Sequence, residues 1–193
     1  MRLLEKNTND LVHVYALAER WWDSTNTFHL PFGEMTMTPY DFFMITSLKV
    51  GGDRLVMDIP FERQSALVTA LIGGMPPTLE VCRFPYNWLR WTFCKPDPGV
   101  SNEQLLRAFL LYVLGCSLLA TRNDRVSLRL LGSLVDIEKI SSCDWGGAGL
   151  ALLYQHIGEI SRGLDLLGLL ESLGGIYLFE SFPFLFLAFF SFY

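Results

Sequence analysis

Apolar residues recur at helical spacing in several stretches of the chain. The pattern predicts helices over residues 9–22, 38–49, 61–71, 101–120 and 145–162. One or two shorter helices are expected between residues 125 and 140. The stretch from Leu105 to Ala120 is nearly all apolar after Arg107, which predicts a central core helix. An aromatic segment around Trp88 and Trp91 is not assigned to a helix.

Polar residues mark the starts of the predicted helices. Thr38 precedes Pro39 and is followed three residues later by Asp41, a spacing that predicts a capping box with proline in the first helical turn. Ser101 has Gln104 at the same spacing. Asp144 precedes the last helix, whose first turns carry small residues that would let another backbone approach closely. These signals place three helix starts.

The segment between the first two helices changes character. Residues 25–38 are rich in Thr, Phe, Pro and Gly, and Gly33 follows Pro31–Phe32 as a plausible turn glycine. Thr27, Phe28 and Thr36 fit strands that flank this turn. The expected fold is therefore mainly α: a single domain of six to eight helices with a small β-hairpin near residues 26–37.

Composition favours a folded domain over a disordered one. The 193 residues are 51% hydrophobic and 18% charged, with a formal net charge of −5. A protein that binds nucleic acid through phosphates usually carries a basic excess, which is not seen here. Arg122, Arg125 and Arg129 could share one helix face and contact phosphate or an acidic partner, although a solvated face is the better explanation. Nucleic acid therefore remains open as a partner but is not indicated by net charge.

Residues capable of chemistry form no recognisable catalytic, cofactor or metal motif. The four cysteines lack C-x-x-C or zinc-ligand spacing, which favours reduced thiols in an intracellular protein. The close sequence positions of His29, Glu34 and Asp41 suggest a metal or acid–base set. However, Asp41 already has a capping role. We therefore predict no enzyme activity, no cofactor and no metal site.

The C-terminal end has an unusual composition. Residues 176–193 contain one charged side chain, Glu180, and many Phe residues. A membrane span is disfavoured, because the uncharged stretch is shorter than the roughly 20 residues a span needs and lacks flanking Lys or Arg. A buried terminal element and a sequence foreign to the domain are the other two interpretations. We therefore expect a helical domain over residues 1–175 and an apolar tail of uncertain origin over residues 176–193.

Three ordered segments resemble one family. The first segment runs through Glu19–Arg20–Trp21, Thr25 to Pro31, Gly33 to Thr36, and Thr38 to Asp41; the second is Arg107 to Leu119; the third runs from Asp136 through Trp145–Gly146 to Tyr154. Together they resemble the aminotransferase-like plant mobile domain over roughly residues 10–178. Pro39 replaces the usual Leu, and Cys143–Asp144 replaces the usual Tyr–Ser. The tryptophan-rich continuation of the family is missing, and the resemblance therefore implies a C-terminally truncated or misannotated copy.

The resemblance implies a non-catalytic interaction module of plant nuclear proteins, in a family linked to meristem maintenance, genome integrity and transposon silencing. Other nuclear proteins are then the expected partners, and the expected location is nuclear, or otherwise cytoplasmic. A transposon-derived nucleic-acid-associated module and a degenerate enzyme are the alternatives. The motif residues that become candidates for interaction are Arg20, Trp21, Thr27, Phe28, Gly33, Glu34, Thr36, Thr38, Asp41, Trp145 and Gly146.

Overall fold

The computed structural model describes residues 16–57, 59, 61–76, 83–115, 119 and 125–163. It is mainly helical, with a small three-stranded antiparallel sheet of order β1-β2-β3 and a second two-stranded pairing of β4 with β5. The elements in chain order are β1 (Trp21–Trp22), β2 (Thr27–Leu30), β3 (Gly33–Met35), α1 (Pro39–Thr46), α2 (Phe61–Ile72), β4 (Arg83–Pro85), α3 (Tyr86–Cys94), α4 (Asn102–Val113), β5 (Arg125–Ser127), the 3₁₀ helices η1 (Leu128–Leu134) and η2 (Ile137–Ser142), and α5 (Trp145–Ser161). The predicted fold class is confirmed.

The three predicted helix starts are confirmed, and at α5 the Asp144 side chain accepts from the N–H of Gly147. Thr38 accepts from the backbone N–H of Asp41, whose carboxylate accepts from the N–H of Thr38, so α1 begins with a complete capping box. Ser101 and Gln104 form the same reciprocal pair at α4. These caps satisfy amide groups that have no partner within a helix.

The predicted helix over residues 9–22 is wrong at its C-terminal end, and its residues 9–15 lie outside the described residues. Residues 16–18 are helical, but Trp21 and Trp22 form β1, paired with Phe28 and Thr27 of β2. Trp21 is buried and Trp22 is exposed, as the two faces of a strand require. The ladder with β2 overrides the helical spacing, and the predicted hairpin gains a third strand.

Three further boundaries differ from the predictions. Helix α1 ends at Thr46 rather than near Lys49, because Ser47 adopts a left-handed conformation (φ 59°) and its N–H bonds to Phe43 O. The aromatic segment is helix α3. Between residues 125 and 140, a strand precedes two 3₁₀ helices, so Arg125 and Arg129 do not share a helix; Arg122 lies outside the described residues.

Helix α4 buries one of its sides. It ends at Val113, and most of residues 116–120, which the prediction included, lie outside the described residues. Ala108 and Leu111 are buried, and the helix contacts α2, α3 and η1. Exposed apolar side chains line its other side: Leu106, Phe109 and Val113. The predicted central core helix is therefore buried on one side only over its described residues, because those neighbours pack against one face. Within the described ranges, no helix is both long and apolar enough to cross a membrane.

Two clusters of buried side chains make the core. The larger includes Val68, Leu89, Leu111 and Leu131, which come from α2, α3, α4 and η1. The smaller consists of Trp21, Phe28 and Ile157, between the three-stranded sheet and α5. Met37, Leu153 and Tyr154 pack against both clusters. Helix α5 therefore links the sheet to the helical core.

Candidate functional site

Side-chain alternation along the sheet gives it an inner and an outer face. On the inner face the ring centroids of Trp21 and Phe28 lie 4.7 Å apart, edge to face, and Tyr154 of α5 lies 5.3 Å from Trp21. Such aromatic pairs add to the stabilisation from burial. Trp21 and Phe28, both candidates from the sequence, are thereby assigned to the packing of the sheet on α5.

The outer face of the sheet is defined as Trp22, Thr27, His29 and Glu34; Trp22 and Glu34 are exposed to solvent, and Thr27 and His29 are half-buried. The Trp22 ring stacks on His29 at a centroid distance of 4.6 Å and an interplanar angle of 14°, yet the residue remains 56% exposed. Thr27 donates from Oγ1 to Glu34 Oε2 over 3.2 Å. His29 Nε2 lies 3.7 Å from Glu34 Oε1, too far for a direct hydrogen bond. These contacts hold an aromatic ring and a carboxylate side by side in solvent.

The suggested set of His29, Glu34 and Asp41 does not converge. His29 and Glu34 face each other across the β2–β3 ladder, while both contacts of the Asp41 carboxylate are made with Thr38 in the α1 cap. Among the residues that the structure describes, no three His, Cys, Asp or Glu side chains are grouped as metal ligands would be. The sheet therefore presents one carboxylate beside one imidazole.

Thr36 and Thr38 connect the sheet to the helices. Thr36 donates to Asn26 O over 2.6 Å and lies 3.4 Å from the hydroxyl of Tyr154. That hydroxyl donates to Met37 O, between the sheet and the Thr38 cap. Both threonines therefore anchor the chain as it passes from β3 into α1.

The candidates Trp145 and Gly146 lie at a separate junction. A Cβ on Gly146 would lie 2.3 Å from Lys49 O, so only glycine allows the loop after α1 to pass this close. Trp145 is buried and donates from Nε1 to Ile140 O over 2.8 Å. Asp144 Oδ1 accepts from the N–H groups of Gly147 (2.7 Å) and Gly51 (2.8 Å). Through Gly146 and Asp144, the N-terminus of α5 therefore packs against and hydrogen-bonds to the loop after α1.

The remaining candidates, Arg20 and Gly33, contribute to the sheet through their backbone. Arg20 O accepts from the N–H of His29 over 2.8 Å, while its side chain is exposed. Gly33 ends the β2–β3 turn with φ 142°, a conformation that favours glycine. Of the candidates, only Thr27 and Glu34 belong to the outer face. The sequence interpretation missed Trp22, although a Trp–Trp pair before an alternating strand signals one ring on each face.

Among the residues that the structure describes, two ionisable groups have shifted pKa values, and neither belongs to the outer face. Burial, followed by the nearby Asp53 carboxylate, raises the pKa of the Cys143 thiol. A hydrogen bond from Lys139 is the main cause of a lowered pKa at Asp136. These residues flank opposite ends of η2. Their shifts reflect a half-buried thiol and a surface ion pair, and they do not gather in a site.

Comparison with known proteins yields one family. The plant mobile domain model matches residues 4–182. In Arabidopsis thaliana, Protein MAIN-LIKE 1 is 34% identical over 77% of this chain and 31% of its own length, and Protein MAINTENANCE OF MERISTEMS is 35% identical over 77% and 32%. A serine/threonine-protein phosphatase 7 long form homolog is 32% identical over 79% of this chain and 12% of its own length.

The chain thus spans about a third of the first two relatives. No solved structure matches it significantly. The family match agrees with the three ordered segments, whose described residues build the sheet, the α4 contact and the N-terminus of α5. The chain belongs to the plant mobile domain family.

Proposed function

We propose that this domain is a non-catalytic protein-interaction module of the plant nucleus, and that it contacts its partner through the outer face of the sheet. The observation that carries the proposal is the exposed stack of Trp22 on His29 beside the Glu34 carboxylate. The Glu34 side chain is 55% exposed. Exposed tryptophan is enriched among the residues that dominate protein–protein binding energy.

The outer face is also suited to binding because its side chains are already ordered. Stacking on His29 restricts the Trp22 ring, and the hydrogen bond from Thr27 restricts Glu34. Ordering a side chain on association costs about 0.5–1.5 kcal/mol, so residues held in place beforehand bind with a smaller loss of entropy. A protein partner would cover the indole and replace solvent around the carboxylate.

The nuclear and non-catalytic parts of the proposal rest on the family. One relative is named for the maintenance of meristems, and the family resemblance implies nuclear proteins without established catalytic residues. The match to the phosphatase-named relative covers 12% of that protein. An interaction module that recurs in longer proteins of different overall activity is consistent with these relationships.

The test compares proteins retained from plant nuclear extract by the wild-type chain, Trp22→Ala and Glu34→Ala, with quantitative mass spectrometry. We expect a defined set of proteins to be lost with both variants while the melting temperature changes little, because both side chains are exposed. Tyr40→Ala is the matched control, since Tyr40 is an exposed aromatic residue of α1 and does not belong to the outer face. Unchanged retention by the two outer-face variants, or equal loss with Tyr40→Ala, would refute the proposal.

A further inference from the structure

Helix α3 presents a second exposed surface, remote in sequence from the three-stranded sheet. Its exposed residues follow helical spacing: Asn87, Arg90, Trp91 and Cys94. On the opposite side Leu89 is buried, and Phe93 packs edge to face on Phe109 of α4 at 5.6 Å. The core contacts of α3 therefore leave this polar and aromatic face free. We define the α3 face as Arg90, Trp91 and Lys95.

Trp91 is the aromatic centre of the α3 face. It is 57% exposed, and the ammonium of Lys95 lies 4.9 Å from its ring centroid. That contact is a cation–π interaction, which places a positive charge against the indole. Arg90 precedes Trp91 on the exposed side of the same helix. An exposed indole thus has one cation against its ring and a second on the preceding exposed residue of the helix.

The chain around the α3 face is basic, although the whole protein carries a net charge of −5. From Arg83 to Val135, the described basic residues are Arg83, Arg90, Lys95, Arg107, Arg125 and Arg129, and the described acidic residues are Asp97 and Glu103. Glu103 is already paired with the buried Arg107 over 3.3 Å. Arg125 lies beside the start of α3, because it pairs with Pro85 in the β4–β5 ladder. The segment from Arg83 to Lys95, which carries Trp91, therefore contains three basic residues and no acidic one.

We propose that the α3 face binds single-stranded nucleic acid. A base stacks on the Trp91 indole, while Arg90 and Lys95 contact the phosphates on either side. Stacking tolerates any base, and cations beside an aromatic ring are the usual combination in proteins that bind single strands. A duplex would hide its base faces from Trp91, and an acidic peptide would leave the indole without a stacking partner. This inference uses residues distinct from the outer face of the sheet, so neither proposal depends on the other.

The test measures fluorescence anisotropy of a labelled oligothymidylate of about 12 nucleotides, with the full chain at low and at physiological salt. We expect Trp91→Leu to weaken binding about five-fold or more, since stacking contributes about 1–3 kcal/mol per base. Trp91→Phe should recover part of the affinity, because phenylalanine still offers an aromatic face. Trp22→Ala is the matched control: it removes an equally exposed indole from the other surface and should leave binding unchanged.

Salt dependence tests the phosphate contacts. The double variant Arg90→Gln and Lys95→Gln should reduce the slope of log affinity against log salt by about 1.4, because each phosphate contact on a single strand contributes about 0.7. Circular dichroism establishes that each variant is folded. The proposal is overturned by absence of binding at low salt, by equal losses for Trp91→Leu and Trp22→Ala, or by equally tight binding of a duplex.

Discussion

At the scale of single residues, two glycines of α5 show how differently the same small side chain can be used. Gly146 faces backbone: an added Cβ would lie 2.3 Å from Lys49 O and 2.8 Å from Leu48 O. Gly158 faces the carboxylate of Asp23, which an added Cβ would meet at 2.4 Å. Asp23 is exposed and forms an ion pair with Arg162 over 3.0 Å. A carboxylate can rotate away from a new methyl group, whereas a packed loop backbone cannot.

Gly146→Ala should therefore lower the free energy of unfolding, by about 1–2 kcal/mol, because overpacking outweighs the gain in helix propensity. Gly158→Ala should change it by no more than about 0.5 kcal/mol, since the lost surface ion pair and the gained propensity nearly cancel. Chemical denaturation of both variants measures the difference. Equal stability of the two variants would contradict the close backbone contact at Gly146.

At the scale of elements, the N-terminal cap of α5 also binds a second segment of the chain, the loop after α1. Asp144 caps the helix through the N–H of Gly147, and the same oxygen accepts from Gly51, 93 residues earlier in the chain. The backbone of Asp53 pairs with the same stretch of chain. Its N–H donates to Ser142 O over 2.8 Å, and its carbonyl accepts from the N–H of Asp144 over 2.9 Å. At α4, by contrast, the Ser101 side chain caps only its own helix, in a capping box with Gln104. The two caps therefore differ in what their loss would disturb.

Asp144→Ala should cost about 2 kcal/mol of unfolding free energy and Ser101→Ala about 1 kcal/mol, because a lost cap typically costs about 0.5–2 kcal/mol and Asp144 holds a second segment as well. Asp144→Asn keeps a side-chain oxygen for both N–H groups and should lose less than Asp144→Ala. Thermal denaturation ranks the three variants. A larger loss for Ser101→Ala than for Asp144→Ala would show that the contact with Gly51 adds nothing.

At the scale of the whole molecule, the sheet and the helical core are connected mainly along α5. The hydroxyl of Tyr154 donates to Met37 O and lies 3.4 Å from Thr36 Oγ1, while its ring packs 5.3 Å from Trp21. The helices of the larger cluster pack on one another without the sheet. Local opening of the sheet can therefore occur while the larger core stays folded.

Tyr154→Phe should loosen the sheet selectively. It keeps the aromatic packing but leaves Met37 O without its donor, so amide hydrogen exchange should accelerate at Phe28 and Met35 and stay unchanged at Leu111 in α4. Hydrogen exchange followed by mass spectrometry resolves the two regions. Tyr86→Phe is the comparison variant at the larger cluster: it removes the hydroxyl that donates to Gly115 O over 2.7 Å, so its effect should be centred on α3 and the end of α4. Uniform acceleration with Tyr154→Phe would contradict separate opening of the sheet.

Much of the fold follows from the sequence, because caps and turns are local. The box at Thr38 and Asp41, the box at Ser101 and Gln104, and the cap at Asp144 depend on residues within three positions of each other. Gly33 and its turn are local for the same reason. The family resemblance, too, was readable from short ordered segments. These features are therefore determined by the sequence itself.

Contacts between distant segments were decided only by the tertiary structure. Trp22 fits the apolar stripe of the helix predicted over residues 9–22, but pairing with β2 selected a strand, which buries Trp21 and exposes Trp22. The apolar residues of α4 do not reveal which side its neighbours cover. Trp91 and Lys95 are adjacent to ordinary turn and core residues in sequence, and only the packing of α3 on α4 turns them outward. Burial is a property of what surrounds a side chain, and local spacing cannot specify the surroundings when they come from far along the chain.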